Sequence, residues 1–89
     1  MPYIKREDRT KFTQLLLDLG VLIKSEGELN YCISILLLMY MASRDKSYSL
    51  LNKIMGVLEC AKLEFYRRFV VPYEDEKIRE NGDITSLPS

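Results

Sequence analysis

The chain contains no histidine. That absence removes histidine-based catalytic triads and histidine-dependent metal sites together. The carboxylate-bridged di-iron pattern of four-helix bundles needs Glu-x-x-His and is excluded with them. Cysteine is scarce. Cys32 and Cys60 are too few for a disulfide framework or a zinc site, and both lie in apolar patterns. Reduced, packed thiols are the expected state. Only four glycines occur, none at phosphate-loop spacing. Net charge is also missing: 13 basic residues balance 13 acidic ones. Without a basic excess, duplex nucleic acid and anionic membranes are not expected partners. Long apolar runs are absent too. The longest, Tyr31 to Ala42, is 12 residues and includes Ser34. A membrane span needs about 20, so a buried helix is expected there. The first residues are charged and no apolar stretch follows them, which fits no secretory leader and implies a cytoplasmic protein.

What the chain does have is apolar residues, 47% of its 89. This length makes one small domain, 1–89, able to bury about 60–65% of its unfolded surface. Apolar surface is left over, and copies of the same chain are the simplest cover, so a homo-oligomer is expected. The charge is unevenly spread. Lys5, Arg6, Arg9 and Lys11 outnumber Glu7 and Asp8 at one end. Glu74, Asp75, Glu76, Glu80 and Asp83 outnumber Lys77 and Arg79 at the other. The two ends suit one another, within a chain or between chains.

The patterning is helical throughout, and no segment alternates with period two over the length of a strand. Residues 1–6 form an arm in which Pro2, Tyr3 and Ile4 are able to pack. A first helix runs from about Asp8 to Lys24, with Phe12, Leu15, Leu16, Leu19, Leu22 and Ile23 on one face. Gly20 inside it allows a close helix crossing. Ser25-Glu26-Gly27-Glu28 is a capping box, in which Glu28 reaches back to the Ser25 amide. The second helix runs to about Ser43 and is apolar nearly all round, so it needs partners on several sides. The third is expected from Tyr48 to Val70. Its stripe is Leu51, Met55, Leu58, Ala61/Lys62, Phe65 and Phe69, with Leu50, Ile54 and Val57 beside it. Leu63 and Val70 join the expected core. Pro72 ends this helix and pushes Val71 out of helical geometry. A short fourth helix spans Glu74 to Asn81 with Gly82 as its stop. Residues 84–89 read as a flexible tail. The fold expected is all-α: a three-helix core plus a short C-terminal helix.

Magnesium-dependent hydrolysis by a small helical protein needs carboxylates one helical turn apart. Glu59 and Glu64 are five apart, while Glu26/Glu28 and Glu74/Glu76 are two apart, so each pair diverges. Asp75 and Glu76 do not repair this. Asp75 to Asp83 fails the calcium-loop pattern because Lys77 and Arg79 occupy ligand positions. No catalytic residue, metal ligand or cofactor is assigned. The best binding candidates are Arg67 and Arg68. Guanidinium groups grip phosphate or carboxylate in a fork, and Tyr66 and Tyr73 offer stacking faces. Lys62 lies on the same face as Asn52, Glu59 and Tyr66, and Asn30 is a rare polar residue on the second helix. The structural alternative is that Glu64 pairs with Arg68 at i, i+4 and that both arginines favour a helix end. Likewise the acidic run at Glu74 reads more simply as the charged start of a helix.

The segments "PYI" at 2–4, "GELNY" at 27–31, "GVLECAKLEFYRR" at 56–68 and "PYEDEKIRENGD" at 72–83 resemble a family of short uncharacterised all-α proteins from bacteria and tailed phages. The resemblance covers nearly the whole chain. It implies no activity, cofactor or catalytic residue. By context it implies a phage-type accessory. The leading expectation is a non-enzymatic, homo-oligomeric protein that sequesters a small anionic, nucleotide-like ligand against host defence. The alternatives are a scaffold or inhibitor that holds a host protein, and a magnesium-dependent nucleotide hydrolase.

Overall fold

A computed structural model describes residues 3–85, and all its regular structure is helical. α1 is Arg6–Leu22, α2 is Glu26–Ala42 and α3 is Tyr48–Phe65. A π-helical segment, Tyr66–Val70, leads directly into α4, Val71–Asn81. The expected break at Pro72 does not occur: residues 48–81 form one continuous helix about 50 Å long. Val71 keeps helical geometry, with φ −59° and ψ −49°. The reason lies in the π turn. A proline in an ordinary α-helix clashes with the carbonyl four residues back and leaves that carbonyl without its donor. Here the turn before it is widened, and the Val71 amide bonds the carbonyl of Tyr66, five residues back. The chain absorbs the proline without stopping.

Local signals set the other boundaries. The Ser25 side chain accepts the Glu28 amide at 3.1 Å, as a capping residue should. Glu28 reaches back one residue further than expected, to the Lys24 amide at 2.6 Å. Ser47 caps α3 in the same way, accepting the Leu50 amide at 3.1 Å. Gly82 stops α4 with φ +88°, where a side chain would be strained. α1 begins and ends about two residues earlier than its pattern suggests, and Lys24 lies outside it. Pro2 and residues 86–89 of the expected tail lie outside the described residues.

The helices barely enclose a core. Among the described residues none is buried. Fourteen are half-buried, Leu19, Cys32, Ile35, Leu37, Ile54 and Leu58 among them. The expected core positions Leu63, Phe65 and Phe69 are exposed, while Val70 is half-buried. The covered line of α3 runs through Leu50, Leu51, Ile54 and Leu58, leaving Met55 and Val57 outside. Gly20 faces open space, so no helix crosses closely there. The backbones of α1, α2 and α3 scarcely approach one another. The radius of gyration is 18.0 Å, against about 12 Å for a compact chain of this length. The accessible surface is 8383 Å², whereas a folded monomer of 10.4 kDa exposes about 5,400 Å². Roughly 3,000 Å² is therefore uncovered beyond the norm for an isolated fold. Among the described residues no helix is long and apolar enough to cross a membrane.

Because Ser25 and Ser47 each satisfy an otherwise orphaned amide, Ser25→Ala and Ser47→Ala are each expected to cost about 1 kcal/mol. Urea unfolding at one fixed protein concentration measures this.

Candidate functional site

The π turn carries the arginine pair. Three and four residues apart are neighbours on a helix, so Glu64 meets both Arg67 and Arg68. Arg67 Nη2 donates to both carboxylate oxygens of Glu64, at 2.9 and 3.1 Å. Arg68 Nε lies 3.4 Å from Oε1. A third contributor comes from the far end of the chain. The Tyr3 hydroxyl donates to Glu64 Oε1 and accepts from Arg67 Nη2 at 3.4 Å. These contacts pin the N-terminal arm to the long helix. The start of α1 is held by its own contact, Arg9 Nε to the Ile4 carbonyl at 2.8 Å.

Glu64 is the only charged residue among the described ones that is even half-buried. Its hydrogen bond from Tyr3, first, and then the guanidinium groups hold its carboxyl below the usual carboxylate range. They do so against desolvation, which pushes the other way. Glu64 in turn raises Arg67 by hydrogen bonding and charge. Each side of the pair stabilises the charged form of the other.

The remaining candidates are arranged around this hub unevenly. Tyr66 is 47% exposed and its hydroxyl is pushed up by hydrogen bonding and charge from Glu74. Tyr73 is 60% exposed, with Lys77 Nζ 5.4 Å from its ring centre. Tyr66 opens the π turn and Tyr73 lies three residues beyond its end. Lys62 instead pairs with Glu59 at 3.3 Å. Asn30 is exposed just past the first turn of α2, where its backbone carbonyl accepts from Ser34 Oγ at 2.9 Å. No hydrogen bond or ion pair among the described residues joins Lys62 or Asn30 to the arginines. The acidic run Glu74–Glu76 does not open a free helix end, because the preceding turns continue into it. The dipole explanation for that run therefore loses its basis. Lys77 pairs with Glu80 at 3.1 Å.

Two members of the cluster are not among the residues expected to bind a ligand. Glu64 has a visible signal, being three and four residues before an arginine pair. Tyr3 has none, since 61 residues separate it from Glu64. Chemically the cluster is a closed ion pair with spare donors. Arg68 keeps both Nη nitrogens without a protein acceptor among the described residues. Arg67 uses only Nη2. An anion meeting this surface finds positive charge partly neutralised by Glu64 but not fully coordinated. π turns occur often at functional sites, because a widened turn reorients the side chains it carries.

Residues 1–84 match the model of a family described as a domain of unknown function, DUF6899. Neither the curated proteins nor the solved structures contain a match to this chain.

A carboxyl held below its ordinary range stabilises the fold fully above that range, and the stability is lost as pH falls through it. Wild type is therefore expected to melt higher than Glu64→Gln at neutral pH. The gap should narrow once pH drops below about 4. Melting curves of both proteins between pH 7 and pH 3 measure it.

Proposed function

Given that the chain belongs to this family of unknown function, we propose that it is a non-enzymatic interaction protein that works as a homo-oligomer. The observation carrying this reading is the lack of any buried side chain among the described residues. With Leu15, Val21, Leu22, Met39, Met55 and Phe69 each more than 60% exposed, the protomer leaves apolar surface on all its helices. At about 25 cal/mol per Å², leaving that surface in water forfeits the main driving force for folding. A partner surface restores it. The arginine cluster argues against catalysis. A carboxylate stabilised as Glu64 is makes a weak base and does not hold a proton to donate near neutral pH.

A second reading has its own support: the oligomer sequesters a small anion, nucleotide-like in form, at the π turn. Arg67 and Arg68 keep spare nitrogens on the π turn, and Tyr66 and Tyr73, close to them in sequence, have exposed rings, residue types that suit a phosphate carrying a base. The resemblance to phage and bacterial proteins makes an anti-defence role in the host cytoplasm the biological form of this reading. Asn30 and Lys62 join such a site only if a neighbouring copy brings them there.

Light scattering on a sizing column is expected to return a multiple of 10.4 kDa at micromolar concentration. A clean monomer contradicts the first reading. For the second, calorimetry with a panel of mono-, di- and cyclic nucleotides is expected to give binding that Arg67→Ala/Arg68→Ala weakens at least tenfold. Silence from wild type across the panel, or an indifferent double variant, rejects it.

A further inference from the structure

Resting on the proposal that the chain self-associates, we infer that two copies pair through the long helix 48–81, antiparallel, about a twofold axis near Phe69. Three independent features converge on this arrangement. The first is an uncovered aromatic line. Phe65, Phe69 and Tyr73 recur every four residues and are 60%, 64% and 60% exposed. The Phe65 and Phe69 rings lie 5.1 Å apart, tilted by 42°, so they form one ledge. Earlier on the same helix Leu51, Ile54 and Leu58 are half-covered, whereas this ledge beyond them is bare.

The second feature is charge. Every ion pair among the described residues is local, within residues 59–80. The basic start of α1 and the acidic run of α4 do not meet within one chain. The third feature is the place of the arm. Tyr3 on Glu64 sets Lys5 and Arg6 beside residue 64, about ten residues short of Glu74 along the long helix. In an antiparallel pair about residue 69, position 64 faces position 74 of the second copy. Phe65 then faces Tyr73 of that copy, and Phe69 faces its own equivalent. The basic α1 start of each chain arrives beside the acidic run of the other, twice, as a twofold requires. The uncovered surface of roughly 3,000 Å² per chain exceeds what one standard interface needs, so the pairing has ample area to bury.

The occupant of the ledge is thus a second copy of this chain, recognised by aromatic stacking at the axis and by charge on either side. The test uses the whole chain with Cys32→Ser and Cys60→Ser. On that background Phe69→Cys treated with a mild oxidant is expected to give a disulfide-linked dimer, while Asn52→Cys gives none. Separately, Lys5→Glu/Arg6→Glu is expected to weaken association at least tenfold in sedimentation. Adding Glu74→Lys/Glu76→Lys to the same chain should restore it, which a merely misfolded variant cannot do. If wild type associates but Phe69→Cys fails to cross-link, or the charge swap restores nothing, this pairing is overturned and self-association stands. A monomeric wild type, or one that assembles only with a different protein, overturns both.

Discussion

A shortage of shared interior governs this molecule. Three helical stretches of 17, 17 and 18 residues, the last extended by a 5-residue π turn and the 11 residues of α4, are joined by connectors of a few residues. Each stretch carries more apolar surface than its neighbours in the same chain can cover. Helical backbone hydrogen bonds are satisfied locally, so the helices exist without a deep core. Their stability does not follow from that, because helices of this length are marginal in water without packing. Half-covered positions, Leu50, Leu51, Ile54 and Leu58 early and Cys60, Val70 and Val71 later, are the most apolar cover that one protomer provides on the long helix. Everything else about the fold, from its 60 Å length to its bare aromatic ledge, follows from how little one chain can bury by itself.

Glu64 shows how the polar features adapt to that openness. In a compact domain a carboxylate between two arginines is a weak argument for stability, since desolvation offsets the attraction. Here the group is only half-buried, so the desolvation cost is modest and water screens the pairing. Its structural value is positional. Through Tyr3 it fastens the arm, and with the arm it fixes where the basic start of α1 stands relative to the long helix. Through Arg67 and Arg68 it orients the guanidinium groups on the widened turn. The same contacts that make the cluster a fastening leave donor nitrogens over, so fastening and anion capture are compatible.

Much of the helical plan was legible in the residues. Ser25 and Ser47 announce two helix starts because a hydroxyl at that position accepts an amide that nothing else can. Gly82 announces the stop because it alone tolerates φ +88°. The Glu64–Arg68 pair follows from helical spacing. Pro72 misleads, because the rule that proline ends a helix assumes a regular preceding turn, and here that turn is π. Phe65, Phe69 and Leu63 mislead differently. Their spacing marks an apolar face correctly, but spacing carries no information about whether the same chain supplies the cover.

The residues by themselves thus determined an all-helical chain, its capping, its missing histidine chemistry and the amount of apolar surface to be hidden, since these depend on neighbours within one or two turns. The tertiary structure alone decided the continuity of residues 48–81, the contact of Tyr3 with Glu64 and the exposure of the aromatic ledge. Each of those depends on where distant segments come to lie, which local propensity does not specify.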